Sequence, residues 1–98
     1  MKHENINKHT CNERAGLEWA HLQGFPIIVD RHSTGQNYLA LDDDHCVLAR
    51  VSMTWKEYFD LAEKELRDVI KRLVADAYEA QLQRDTVIDI FDYFGRTN

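Results

Sequence analysis

From Met53 to Arg84 the chain runs without a glycine or a proline, and its apolar residues return every three or four positions. Phe59, Ala62, Leu66, Val69, Ile70, Leu73, Ala77 and Ala80 therefore share one stripe of a 3.6-residue period, the pattern of an amphipathic helix. Thr54 with Glu57 three residues on forms a capping box at its start, and Met53 with Tyr58 a hydrophobic staple over that cap. On the far face Asp60 precedes Lys64, Glu63 precedes Arg67 and Asp68 precedes Arg72, each at the i,i+4 spacing with the acid first. Such pairs each add roughly 0.3 kcal/mol, and together they read as a solvated face.

Length turns this helix into an argument about assembly. It would run for roughly 45 Å, whereas a compact domain of this size is only about 33 Å across. Either the helix bends or one end overhangs. An overhang would expose Leu73, Ala77, Tyr78 and Leu82, and a second copy of the chain is the simplest cover for such a stripe. A homodimer is the resulting expectation.

The segments before the helix predict a sheet for it to cover. Thr10 and Glu13 suggest a second capping box, opening a short helix with Ala15, Trp19 and Leu22 on one face. Gly24 closes that helix and Pro26 prevents its continuation. Ile27, Ile28 and Val29 form the centre of a first strand over Phe25–Arg31. Ser33 to Asn37 is rich in turn formers, a second strand runs from Tyr38 to Leu41, and a third from His45 to Ser52 with Val47, Ala49 and Val51 on one side. After Arg84, Asp85 or Thr86 can cap a final short helix through Val87, Ile90, Phe91 and Phe94, stopped by Gly95. The expected fold is therefore α+β, in the order α-β-β-β-α-α, with a three-stranded antiparallel meander packed on one long helix and short helices at either end. Residues 1–98 make one domain, and residues 1–9 a polar, flexible lead-in.

Charge and hydropathy narrow the function classes. A net charge of −5 opposes nonspecific nucleic-acid binding, which needs a surplus of Lys and Arg. Double-stranded RNA-binding domains share the α-β-β-β-α order, but they contact phosphate through lysines at the start of the last helix. Here that start reads Thr54, Trp55, Lys56, Glu57, so the shared order is topology alone. No apolar run reaches the roughly 20 residues that cross a bilayer, and the polar start lacks a signal-peptide core, so a cytoplasmic protein is expected. Cys11 and Cys46 are then reduced thiols.

Chemical motifs are few. Asp42, Asp43 and Asp44 beside His45 crowd carboxylates near an imidazole, but a calcium loop needs ligands spaced around a glycine bend, and a tight solvated turn accounts for the same residues. His9 with Cys11 has zinc-ligand spacing, whereas adjacent His45 and Cys46 would point to opposite sides of a strand. Cys46 reads instead as a small core residue. No metal or cofactor is expected. A cysteine paired with His21, His32 or His45, or Ser33 near His32, would be the material for nucleophilic catalysis, yet none lies in a recognisable nucleophile turn.

These readings favour a small acidic non-enzymatic binding protein, an accessory, regulatory or immunity-like inhibitor acting through protein contacts. Its candidate partner surface is Asp42, Asp43 and Asp44 with Tyr93 and Phe94, facing a partner that carries a basic patch. The alternative is a small-ligand module whose pocket lies between sheet and helices and is lined by Trp19, Trp55 and Tyr58. A Cys/His enzyme stands third.

Overall fold

In the computed structural model the backbone of residues 9–97 and the side chains of residues 9–84 are described. The elements are α1 (Thr10–Leu22), β1 (Ile27–Arg31), β2 (Gly35–Leu41), β3 (Val47–Thr54), α2 (Trp55–Asp60) and α3 (Glu65–Thr97). The order α-β-β-β-α-α and the α+β class are those expected from the sequence. The lead-in through residue 8, and the side chains of Tyr93 and Phe94, lie outside the described residues.

The sheet is an antiparallel meander in the order β1-β2-β3. Its register sets Val29 and Val51 on either side of Tyr38, and Arg31 and Met53 on either side of Gln36. Side chains alternate across a sheet, so Ile27, Val29, Arg31, Gln36, Tyr38, Ala40, Ala49, Val51 and Met53 share the face that the helices cover. One irregularity interrupts β3, where Ala40 faces Ala49 but Leu41 faces Val47. The extra residue on β3 is a bulge that reverses the alternation, so Val47, expected beside Ala49 and Val51, is exposed.

Helix α1 ends as its sequence predicts. Gly24 has φ +92°, the Phe25 N–H donates to the Ala20 carbonyl and the Gly24 N–H to that of His21, which is the Schellman closure that glycine permits. Its start differs from expectation. The N-cap position falls on His9 with no side-chain cap, so Thr10 and Glu13 form no capping box; the Glu13 carboxylate is turned toward the sheet instead.

The capping box at Thr54 does form, with the Glu57 N–H donating to Thr54 Oγ1 at 3.1 Å and the Thr54 N–H to Glu57 Oε1 at 2.9 Å. The helix it opens is short. After Asp60 the chain becomes extended at Leu61 (φ −63°, ψ 140°) and restarts as α3 at Glu65. The single helix expected over Met53–Arg84 is thus two, divided at 61–64, and the separate final helix expected after Arg84 is instead the continuation of α3 through Gly95 to Thr97. The division has a tertiary cause. Tyr58 is buried at one end of the sheet beside His9, while Leu66, Ile70, Leu73 and Ala77 are buried along the sheet and α1. Turning the chain between Tyr58 and Leu66 allows both groups to be buried, and leaves Phe59 and Ala62 outside the core.

The core joins Tyr38 and Ala40 of the sheet to Ala20, Phe25, Leu66, Ile70, Leu73, Val74 and Ala77. Helices α1 and α3 touch at Gly16, where a Cβ would stand 2.6 Å from Ile70 Cδ1. Beyond Ala77 the 33-residue α3 keeps a tie to the body through Arg84, which pairs with Asp42. The molecule measures 66 × 26 × 18 Å, with a radius of gyration of 16.7 Å against about 13 Å for a compact chain of this length. Among the described residues no helix is long and apolar enough to cross a membrane.

Candidate functional site

A cleft of about 570 Å³ opens where the first turns of α1, the end of β1 and helix α2 meet, lined by Thr10, Glu13, Arg31, Trp55, Tyr58 and Phe59. Its aromatic wall comes from α2, whose direction is set by the Thr54 cap. Trp55 is pinned by its indole N–H, which donates to the His32 carbonyl at 3.0 Å. The rings pack on one another, with centroids 5.9 Å apart for Trp55 and Tyr58, 6.2 Å for Trp55 and Phe59, and 5.2 Å for Tyr58 and Phe59. Tyr58 stands edge-on to the other two rings, at 83° and 73°, while Trp55 and Phe59 are tilted by 31°, so the three form one packed aromatic wall rather than a cage open around a central cation.

The polar floor is a closed ring of hydrogen bonds across three elements. Arg31 Nη2 donates to Glu13 Oε1 at 2.5 Å and its Nε to Gln36 Oε1 at 3.2 Å; Gln36 Nε2 donates to the Tyr38 hydroxyl at 2.9 Å, and that hydroxyl donates to Glu13 Oε2 at 2.5 Å. Gln36 and Tyr38 are fully buried, and a buried polar group is tolerated when it is paired. Burial pushes the Tyr38 hydroxyl far above the usual phenol range, and its bond to the Glu13 carboxylate adds to the shift. Behind the wall, His9 is fully buried with its ring edge-on to Tyr58 at 4.8 Å, and neither ring nitrogen has a hydrogen-bond partner among the described residues.

The pocket residues named from sequence divide here. Trp55 and Tyr58 line this cleft, but Trp19 lies elsewhere on α1, over two smaller depressions of about 180 and 350 Å³ beside Lys71, the smaller of which also includes Arg67. Nothing in α1's periodicity separated the two places. Thr10, Glu13, Arg31 and Phe59 complete the cleft, none of them a pocket residue by sequence; the helical period places Phe59 in the core stripe instead.

The acidic stretch is also redistributed. Asp42 is only 3% exposed, accepting the backbone N–H groups of Asp44 and Cys46 and pairing with Arg84 of α3. The Arg84 side chain, then the Cys46 N–H, hold its carboxyl below the usual range. Asp43 and Asp44 remain exposed. The turn is tight because His45 takes φ +65°, and Cys46, expected in the core, is exposed with its N–H spent on Asp42. In the expected dimer stripe, Leu73 and Ala77 belong to the chain's own core, while Tyr78 and Leu82 are 57% and 51% exposed. Of the helix ion pairs, Lys56–Asp60 at 2.9 Å replaces Asp60–Lys64, since Lys64 lies in the break between the two helices. No group of three His, Cys, Asp or Glu comes together as a metal site among the described residues.

No family model, no curated protein and no solved structure matches the chain.

Proposed function

We propose that the chain is a small non-enzymatic binding module whose ligand sits in the α1–β1–α2 cleft. The observation that carries this reading is the pairing of an aromatic wall with the hydrogen-bonded Glu13 and Arg31 in one concavity of about 570 Å³. Ligand sites are typically clefts of roughly 300–1,000 Å³, mostly apolar, with a few fixed polar groups that orient the guest. A side chain that already meets its own neighbours, as Trp55 meets the His32 carbonyl, costs little to order on binding. The test is a titration of isotope-labelled protein with indole and with phenol. Saturable shifts of the Trp55 indole N–H and of the Thr10 and Phe59 amides are expected. Shifts spread over the surface without saturation would overturn the reading.

The protein-contact reading retains support at a second place. Tyr78 and Leu82 are exposed on a helix that outruns the body, which favours self-association through α3, whereas an inhibitor surface built on the acidic turn loses Asp42 and rests on Asp43 and Asp44 with a basic partner. We place the protein's action in the cytoplasm, where Cys11 and Cys46, both exposed and unbridged, stay reduced.

A further inference from the structure

We infer that the ligand of this cleft carries a carboxylate beside a flat or branched apolar group, and that Arg31 reads the carboxylate. The inference rests on the cleft reading above and names the chemical class of its guest. It follows from which donors and acceptors the floor has already spent. Both oxygens of Glu13 are engaged, one by Arg31 and one by Tyr38. Of the five N–H groups of a guanidinium, Arg31 spends one on Glu13 and one on Gln36, which leaves both hydrogens of Nη1 and one of Nη2.

Exposure points the same way. Both side chains line the cleft, but that of Arg31 is 53% exposed and that of Glu13 only 12%, so a guest there meets chiefly the cation. Two parallel N–H groups match the two oxygens of a carboxylate. The bonds to Glu13 and Gln36 fix the guanidinium plane in advance, so little side-chain freedom remains to be lost. Beside it, the mutually packed rings of Trp55, Tyr58 and Phe59 offer an apolar face. One ligand chemistry satisfies both ends. It occurs in free aromatic carboxylic acids and at the C-terminus of a peptide that ends in a large apolar residue.

Matched probes separate these points. The unmodified protein would be titrated with N-acetyl-tryptophan, with its neutral amide and with the cation tryptamine, following the Trp55 and Phe59 resonances. The acid is expected to bind at least tenfold more tightly than the amide, with tryptamine weakest, and added salt should shrink the advantage. Equal or tighter binding of the amide would overturn the carboxylate inference and leave the cleft reading standing. Failure of all three to saturate at the cleft would overturn both. An Arg31→Lys protein, checked for an unchanged fold by its amide spectrum away from the cleft, should lose most of the acid's preference while keeping the amide's affinity; an unchanged preference would overturn Arg31 as the reader. A peptide ending in tryptophan, compared with 2-naphthoate, then distinguishes the sources: tighter binding of the peptide assigns the site to a chain terminus, and tighter binding of naphthoate to a free acid.

Discussion

At Glu13 one carboxylate accepts from a phenol and a guanidinium that belong to two different strands. Replacing Glu13 by Ala takes the acceptor from the buried Tyr38 O–H, although Gln36 still donates to its oxygen, and a buried donor left without an acceptor costs about 1–3 kcal/mol. Urea denaturation should show a loss of about 2 kcal/mol for Glu13→Ala, and Tyr38→Phe should cost less in the Glu13→Ala background than alone, because the bond between the two side chains is already gone there. The raised Tyr38 titration sets an alkaline limit as well. Below about pH 10 the phenolic proton is held in both folded and unfolded chains; above it the unfolded chain releases the proton first, and stability falls with pH. Tyr38→Phe should flatten that fall, measured as melting temperature between pH 9 and 11. Asp42 sets the opposite limit, since its lowered titration gives stability that is present above about pH 4 and lost as pH drops further. Asp42→Asn should lower the melting temperature at pH 7 and reduce its dependence on pH between 2 and 5.

Among the elements, the contact of α1 with α3 makes the sharpest prediction. Alanine is favoured over glycine in a helix by about 1 kcal/mol, but at position 16 its Cβ meets Ile70 Cδ1 at 2.6 Å, and Ile70 is fully buried. With no space for that methyl to move into, overpacking of about 1–3 kcal/mol outweighs propensity. Gly16→Ala should therefore destabilise the protein. Ile70→Val, which alone costs about 1 kcal/mol, should stabilise the Gly16→Ala background, and a thermal-melt double-mutant cycle measures the sign change. The elements were legible in sequence where the determinants were local: the Thr54 cap, the Gly24 closure, and the Leu66, Ile70, Leu73 and Ala77 spacing all hold. The break at 61–64 was not, because the apolar phase continues across it without glycine or proline, and the competing demands of Tyr58 and Leu66 exist only in the assembled fold. The same holds for the site. Trp55 and Tyr58 were visible as neighbours on one helix, but Glu13 meets partners 18 and 25 residues away, and only docking of α1 on the sheet brings them together.

At the scale of the molecule, the buried core among the described residues extends along α3 to Ala77, and the Asp42–Arg84 pair ties α3 to the hairpin between β2 and β3. From Tyr78 to Thr97 the helix runs on for about 30 Å. A chain ending at Arg84 retains all of these contacts and should melt within about 4 °C of the full one, a shift equivalent to about 1 kcal/mol or less. Light scattering of the two at several concentrations then tests self-association: a mass above one chain that the truncation lowers assigns the assembly to the distal helix. The hydrogen-bonded ring beneath the cleft has a bearing on how a guest would be noticed. It is both the floor of the site and the joint that fastens α1 to the sheet, so occupancy and folding are thermodynamically linked. A guest at 100 times its dissociation constant would add about 2.7 kcal/mol to the folded state, and melting temperature alone becomes a readout by which unlabelled compounds can be sorted before any is known to bind.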